Sequence, residues 1–150
     1  MTPQQISLVK NSWLLVAQKD QTEVGSLFYT RLFDVLPEVR PMFIRSSVAE
    51  QSRKLMTMLT YVISRLDRLD GIMDEIGKLA RRHTHYGVVD RHYDAVANSL
   101  LYTLEKGLGD EWNPVLLEAW TTIYKALADA MMTAQHEDKT AQPYSAVPQA

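Results

Sequence analysis

Two prolines stand four residues apart in the segment FDVLPEVRPMF, inside a chain whose apolar residues otherwise recur at intervals of three and four. A proline in a helix interior removes one backbone hydrogen bond and clashes with the preceding turn, so no long regular helix can pass through Pro37 and Pro41. The stretch from Pro37 to Phe43 is expected to be a tight corner between two long helices. Thr2-Pro3-Gln4-Gln5 has the makings of an N-cap, a first-turn proline and a capping-box glutamine, with Ile6, Val9, Trp13 and Val16 following at helical spacing. A second helix is expected from about Thr22 to Leu36, a third capped by Ser46-Ser47 to about Leu66, and a fourth from Gly71 to near Gly87. A fifth, capped by Asp90, would run to Gly107, and a sixth would open at Asn113-Pro114 and end about Gln135. Strand alternation is scarce, so the chain reads as all-α, with connections too irregular for an up-down bundle.

The domain is expected to occupy residues 1–136. From Glu137 to Ala150 the run EDKTAQPYSAVPQA has two prolines and no period, and is expected to be a disordered tail. The 150 residues suit one core, since a chain of this length buries about two thirds of its unfolded surface without metal or disulfide staples. With 16 basic against 18 acidic residues, the net charge of −2 gives no electrostatic reason to expect nucleic acid or an anionic membrane as partner. The absence of cysteine removes disulfides, thiolate nucleophiles and cysteine-held zinc or iron–sulfur centres. The N-terminus lacks a basic stretch followed by an apolar run, and a cytoplasmic location is expected.

Three of the four histidines fall in LARRHTHYGVVDRHY. Ile72, Ile76, Leu79 and His83 are spaced four, three and four, which puts His83 on the inward stripe of the fourth helix. His85 lies about 200° further round, facing solvent, and His92 sits beside a helix start; neither, nor His136 near the end of the last helix, suggests a site. On the third helix Val48, Gln51, Leu55, Met58 and Val62 share a stripe that Gln51 interrupts, and on the second Gly25, Tyr29, Leu32 and Leu36 share another. Three polar tips, His83, Gln51 and Tyr29, thus point inward from three helices. Each buried without a partner would cost about 1–3 kcal/mol. They satisfy one another, find separate backbone partners, or line a cavity around a ligand. The apolar residues around them suit a plain core or a flat aromatic cofactor equally well.

At these residues the chain closely resembles a globin, a bacterial single-domain haemoglobin similar to the haem domain of flavohaemoglobins and, more distantly, to neuroglobin. The resemblance rests on NSW at 11–13, FYTRLFDVLPEVRPMF at 28–43, EQSRKLM at 50–56, LARRHTHYGV at 79–88, and LLEAW with Tyr124 in the last helix, and it runs from Thr2 to Gln135. It implies a three-over-three helical sandwich around haem b, with His83 as proximal iron ligand and Phe43 packed on the haem face. Tyr29 and Gln51 fall at the distal positions whose Tyr/Gln pairing is typical of flavohaemoglobins. Leu55, Leu79 and Val88 match apolar haem contacts, Lys54 a residue that reaches a propionate, and Tyr93 the proximal tyrosine of those relatives. A neutral imidazole can bind iron through one nitrogen while its other N–H is held by an acceptor.

The function this resemblance implies is oxygen binding, with nitric oxide turned over to nitrate; O2, NO and CO are the expected ligands and an external reductase the expected electron donor. GLGD at 107–110 is no dinucleotide fingerprint, because it lacks a third glycine and follows a helix. Gln135 stands where those relatives carry a proximal glutamate, with Glu137 on another face, so a proximal charge relay is open to question. The competing readings are a haem peroxidase or nitrite reductase, against which Gln135 and Gln51 count, and a gas sensor or haem-free interaction module, against which His83 counts.

Overall fold

The computed structural model describes residues 1–43, 45–85 and 87–141, with side chains as far as Glu137. Six α-helices form it: α1 (Pro3–Ala17), α2 (Gln21–Val35), α3 (Val48–Ser64), α4 (Met73–His85), α5 (His92–Leu108) and α6 (Pro114–Ala141). The two-proline segment Pro37–Phe43 is a 3-10 helix, as the steric argument requires, and a second 3-10 stretch, Leu66–Ile72, joins α3 to α4. Helices α1, α3 and α4 cross over α2, α5 and α6, making two layers of three.

Local chemistry sets the helix starts. Thr2 and Gln5 make the reciprocal capping box, and the side chains of Asp20 and Ser47 accept from the backbone N–H three residues on. Asn113 accepts the Leu116 N–H at 3.0 Å and opens α6. Two expectations are corrected. Asp90 does not cap α5; its carboxylate faces His136, 3.0 Å away on α6, and the cap position is Arg91, which makes no side-chain cap bond. Nor does α6 stop at Gln135. It continues to Ala141, so the first five residues of the expected tail are helical, and 142–150 lie outside the described residues.

The main core joins Val9, Trp13 and Val16 of α1 to Met56 and Ile63 of α3, Leu104 of α5, and Trp120 and Ile123 of α6. Trp120 donates to Ser12 at 2.9 Å and Trp13 to Thr60 at 3.0 Å, so each buried indole N–H keeps a partner. A smaller cluster of Ile72, Ile76, Ala80, Tyr93, Ala128 and Met131 supports α4 from beneath. Helices α2 and α3 come into close contact where Gly25 meets Ser52. A Cβ built on Gly25 would lie 1.8 Å from Ser52 Oγ and 2.8 Å from its Cα.

That crossing has no slack, so Gly25→Ala should lower stability by about 1–3 kcal/mol despite alanine's better helix propensity. At Gly77 the nearest atom to a built Cβ is an Arg81 guanidinium nitrogen 3.6 Å away. Gly77→Ala should therefore hold stability or raise it by up to about 1 kcal/mol. Denaturant midpoints of the two variants check the contrast.

Candidate functional site

The proximal half is built on α4. Its last turn is closed by Gly87, whose φ of 87° few other residues adopt, and the Val88 N–H donates back to the His83 carbonyl at 2.9 Å. The His83 side chain is half-buried, and its Nδ1–H donates to the Leu79 carbonyl at 2.8 Å. Burial holds the His83 pKa below its ordinary value, opposed by that hydrogen bond and assisted by Arg82. The imidazole is thus a neutral Nδ1–H tautomer whose Nε2 lone pair takes no hydrogen bond among the described residues. The Tyr93 ring lies against it, nearly parallel at 16° with centroids 6.5 Å apart.

The Tyr93 hydroxyl is taken up by Gln135, which is only 2 % exposed. Gln135 receives the phenol on Oε1, and its NH2 group donates to Thr84 Oγ1 and to the Val88 carbonyl, each at 3.0 Å. One amide therefore joins α4, the turn after it, α5 and α6. The Tyr124 hydroxyl adds a 2.7 Å bond to the Tyr93 carbonyl. Burial raises the Tyr93 pKa to about 12, with a smaller contribution from Asp90. A neutral phenol thus meets a neutral amide, while Glu137 is exposed.

The distal half lies between α2, the proline corner and α3. Tyr29, Phe43 and Gln51 share a cleft of about 540 Å³, together with Phe33 and Arg40. Tyr29 packs on Phe43 with centroids 5.3 Å apart, and its hydroxyl donates to the Gln51 carbonyl across a long 3.4 Å. Burial raises its pKa to about 12, so the phenol keeps its proton through neutral pH. A second cleft of about 390 Å³ lies between α3 and α4 and is lined by Lys54, Met58, Leu79 and Arg82. Lys54 also pairs with Glu50 at 3.3 Å. Along α3, Gln51 lines the first cleft and Met58 the second, both half-buried, whereas the fully buried positions are Ser52, Met56, Val62 and Ile63, of which Val62 also lines the second cleft. Leu55 packs beside the main core and Val88 beside the smaller one.

His92, which the sequence places beside a helix start with no sign of a role, is tied into the structure. It is buried, accepts the Val89 N–H on Nδ1 at 3.1 Å, and stands 3.2 Å from Glu38 of the corner. Arg91 pairs with the same Glu38, and these two partners, the Arg91 hydrogen bond first, hold the Glu38 carboxyl below its usual pKa. Among the described residues no three His, Asp or Glu side chains cluster to hold a metal ion, and no helix is long and apolar enough to cross a membrane.

An imidazole with one nitrogen bound to backbone and the other unused suits a metal carried by an organic ring. Such a metal needs a single protein ligand and an apolar slot between helices. The residues present fit haem, and fold and site together define an all-α haem-binding sandwich. A sequence model of the globin family matches residues 26–131, and the chain belongs to that family. It is 28% identical over 148 residues to an anaerobic nitrite reductase of Physcomitrium patens, covering 89% of this chain and 82% of the relative. It is 29% identical over 137 residues to neuroglobin of Danio rerio, covering 83% and 86%. Against a flavohemoprotein of Deinococcus radiodurans it is 28% identical over 134 residues, covering 88% of this chain and only 33% of that protein's length. Among solved structures, a bacterial globin of Campylobacter jejuni superposes with TM-score 0.80 at 24% identity, covering 93% of this chain and 99% of that one. An engineered carbene transferase, whose parent is a candidate nitric oxide dioxygenase of Rhodothermus marinus, gives 0.83 at 24%, covering 96% and 99%. The cofactor is haem b, as is standard for globins.

Removing the Gln135 amide would leave the Tyr93 hydroxyl and the Val88 carbonyl without it. Gln135→Leu should therefore cost about 2–3 kcal/mol in unfolding free energy, while Glu137→Ala, on the exposed side of the same helix, should change it by less than about 0.5 kcal/mol.

Proposed function

We propose that this chain is an oxygen-binding globin that converts nitric oxide to nitrate, drawing one electron per turnover from an external reductase. The observation that carries the reading is the distal pair, Tyr29 and Gln51 in one cleft above Phe43. Bound haem b supplies the iron at which oxygen is taken up and meets nitric oxide. His83 would hold that iron through Nε2, the nitrogen its bond to Leu79 leaves unused. Leu79, Val88 and Leu55 would supply apolar contacts to the cofactor, and Lys54 would offer its ammonium to a propionate.

Tyr29 supplies a hydrogen bond to bound oxygen. Its phenol keeps its proton, and its present acceptor, the Gln51 carbonyl at 3.4 Å, holds it loosely enough to turn. The Gln51 amide adds a second donor, and neither group ligates iron well when neutral. Gln135 counts against a peroxidase, because an amide polarises the proximal side less than a carboxylate would. The name of the Physcomitrium relative, an anaerobic nitrite reductase, supports nitrogen-oxide chemistry as a reading for this chain.

If His83 is the ligand, His83→Ala should lose or greatly weaken haem retention and its Soret band, whereas His85→Ala, exposed on the same helix, should leave the spectrum intact. The opposite pattern would refute the assignment.

A hydrogen bond to a charged acceptor is worth about 1.5–3 kcal/mol, so Tyr29→Phe should speed oxygen dissociation roughly 10- to 100-fold and carbon monoxide dissociation far less. Stopped-flow rates check this. Equal effects on both ligands would mean that Tyr29 acts by size alone.

A further inference from the structure

The cleft shared by Tyr29 and Gln51 has a wall that the oxygen reading leaves unused. Arg40, exposed on the proline corner, is the only charged residue among the described residues that line it, and none of these is a carboxylate. Its guanidinium lies over the Phe33 ring, 5.3 Å from the centroid, and Phe33 lines the same cleft. That contact places the cation at the wall. Among the described residues Arg40 has no ion-pair partner, although Arg91 on the neighbouring helix pairs with Glu38 only two residues away from it. The other side-chain polar groups sharing the cleft are neutral and able to donate: the Tyr29 phenol, the Gln51 amide and the hydroxyls of Ser46 and Ser47. The rest of the lining is apolar, supplied by Pro37, Phe43 and Val48 among others.

A cation without an ion-pair partner, four neutral donors and an apolar floor match a small planar monoanion. The forked N–H groups of arginine suit two oxygens of one such ion, and a single positive charge favours a single negative one. Neutral ligands such as O2 or NO gain nothing from it. We propose that this cleft carries an anion subsite, centred on Arg40, for a nitrogen oxyanion. The choice of nitrate, the product to be released, rests on the function proposed above; the presence of an anion subsite does not.

The test uses the ferric haem-loaded protein in dilute buffer. Nitrite, an oxyanion that ligates ferric iron, is titrated by its change in the visible spectrum, and nitrate is added as a competitor. Imidazole at pH about 8.5, where it is neutral, serves as the uncharged ligand for the same iron. Arg40→Gln should weaken nitrite binding about five- to tenfold and leave imidazole binding unchanged, Arg40→Lys should restore it to within about twofold, and raising the salt to about 0.5 M should close the gap. Nitrate should compete with nitrite in the parent protein and lose that effect in Arg40→Gln. The proposal fails if Arg40→Gln binds nitrite as the parent does at low salt, or if it loses imidazole equally, which would make Arg40 a packing residue on Phe33. Failure of nitrate to compete in the parent would overturn the assignment to the product. These titrations involve no oxygen, so they are independent of the Tyr29→Phe result that tests the oxygen reading.

Discussion

Everything distal in this protein follows from how closely α2 and α3 cross. Gly25 has no side chain, and Ser52 sits where one would have been, fully buried and with a hydroxyl that finds no partner among the described residues. An orphaned buried hydroxyl costs about 1–3 kcal/mol, which the apolar contacts along the crossing offset. One turn beyond Gly25 stands Tyr29, and beside Ser52 stands Gln51. The tight crossing brings these two together, so that a phenol on one helix reaches a carbonyl on the other.

The other two walls are tied by long-range polar contacts. His92 and Arg91, at the start of α5, grip Glu38 in the corner that ends in Phe43, and the next residue, Tyr93, lies against His83. The distal corner and the proximal ring are therefore anchored at adjacent positions on one helix start. Gln135 fastens the same region from α6. Were α5 to shift along its axis, both the Glu38 contact and the Tyr93–Gln135 bond would have to break.

The helical period was enough to read an all-α chain and to set Tyr29, Gln51 and His83 on inward stripes, while the three-over-three sandwich was legible only through the family resemblance. The prolines fixed the corner, and spacing from Ile76 through Leu79 placed His83 on the inward face. Resolution was lost where one helix serves two surfaces. On α3 the period cannot separate the fully buried stripe, Ser52 and Met56, from the adjoining half-buried stripe, Gln51 and Leu55, because the two differ by one residue. It was lost again where partners lie far apart in the chain. Asp90 looked like a cap because nothing local reveals that His136 will come round to it, and His92 looked idle because Glu38 is 54 positions away. Gln135 was singled out only by the resemblance, since the period at an expected helix end says nothing of the Tyr93 hydroxyl that it accepts from.

The identity of residue 135 also decides how the proximal side responds to its surroundings. An acid in that place would exchange a proton with solvent and alter the field on the imidazole as it did so. An amide has no such equilibrium, and the phenol it accepts from stays protonated to about pH 12. The bonding around Tyr93 therefore stays in one protonation state across the acid and neutral range. Sensitivity to acidity on this side is left to the His83 imidazole itself, and the Gln135–Tyr93 contact is the chemically constant part of the proximal mount.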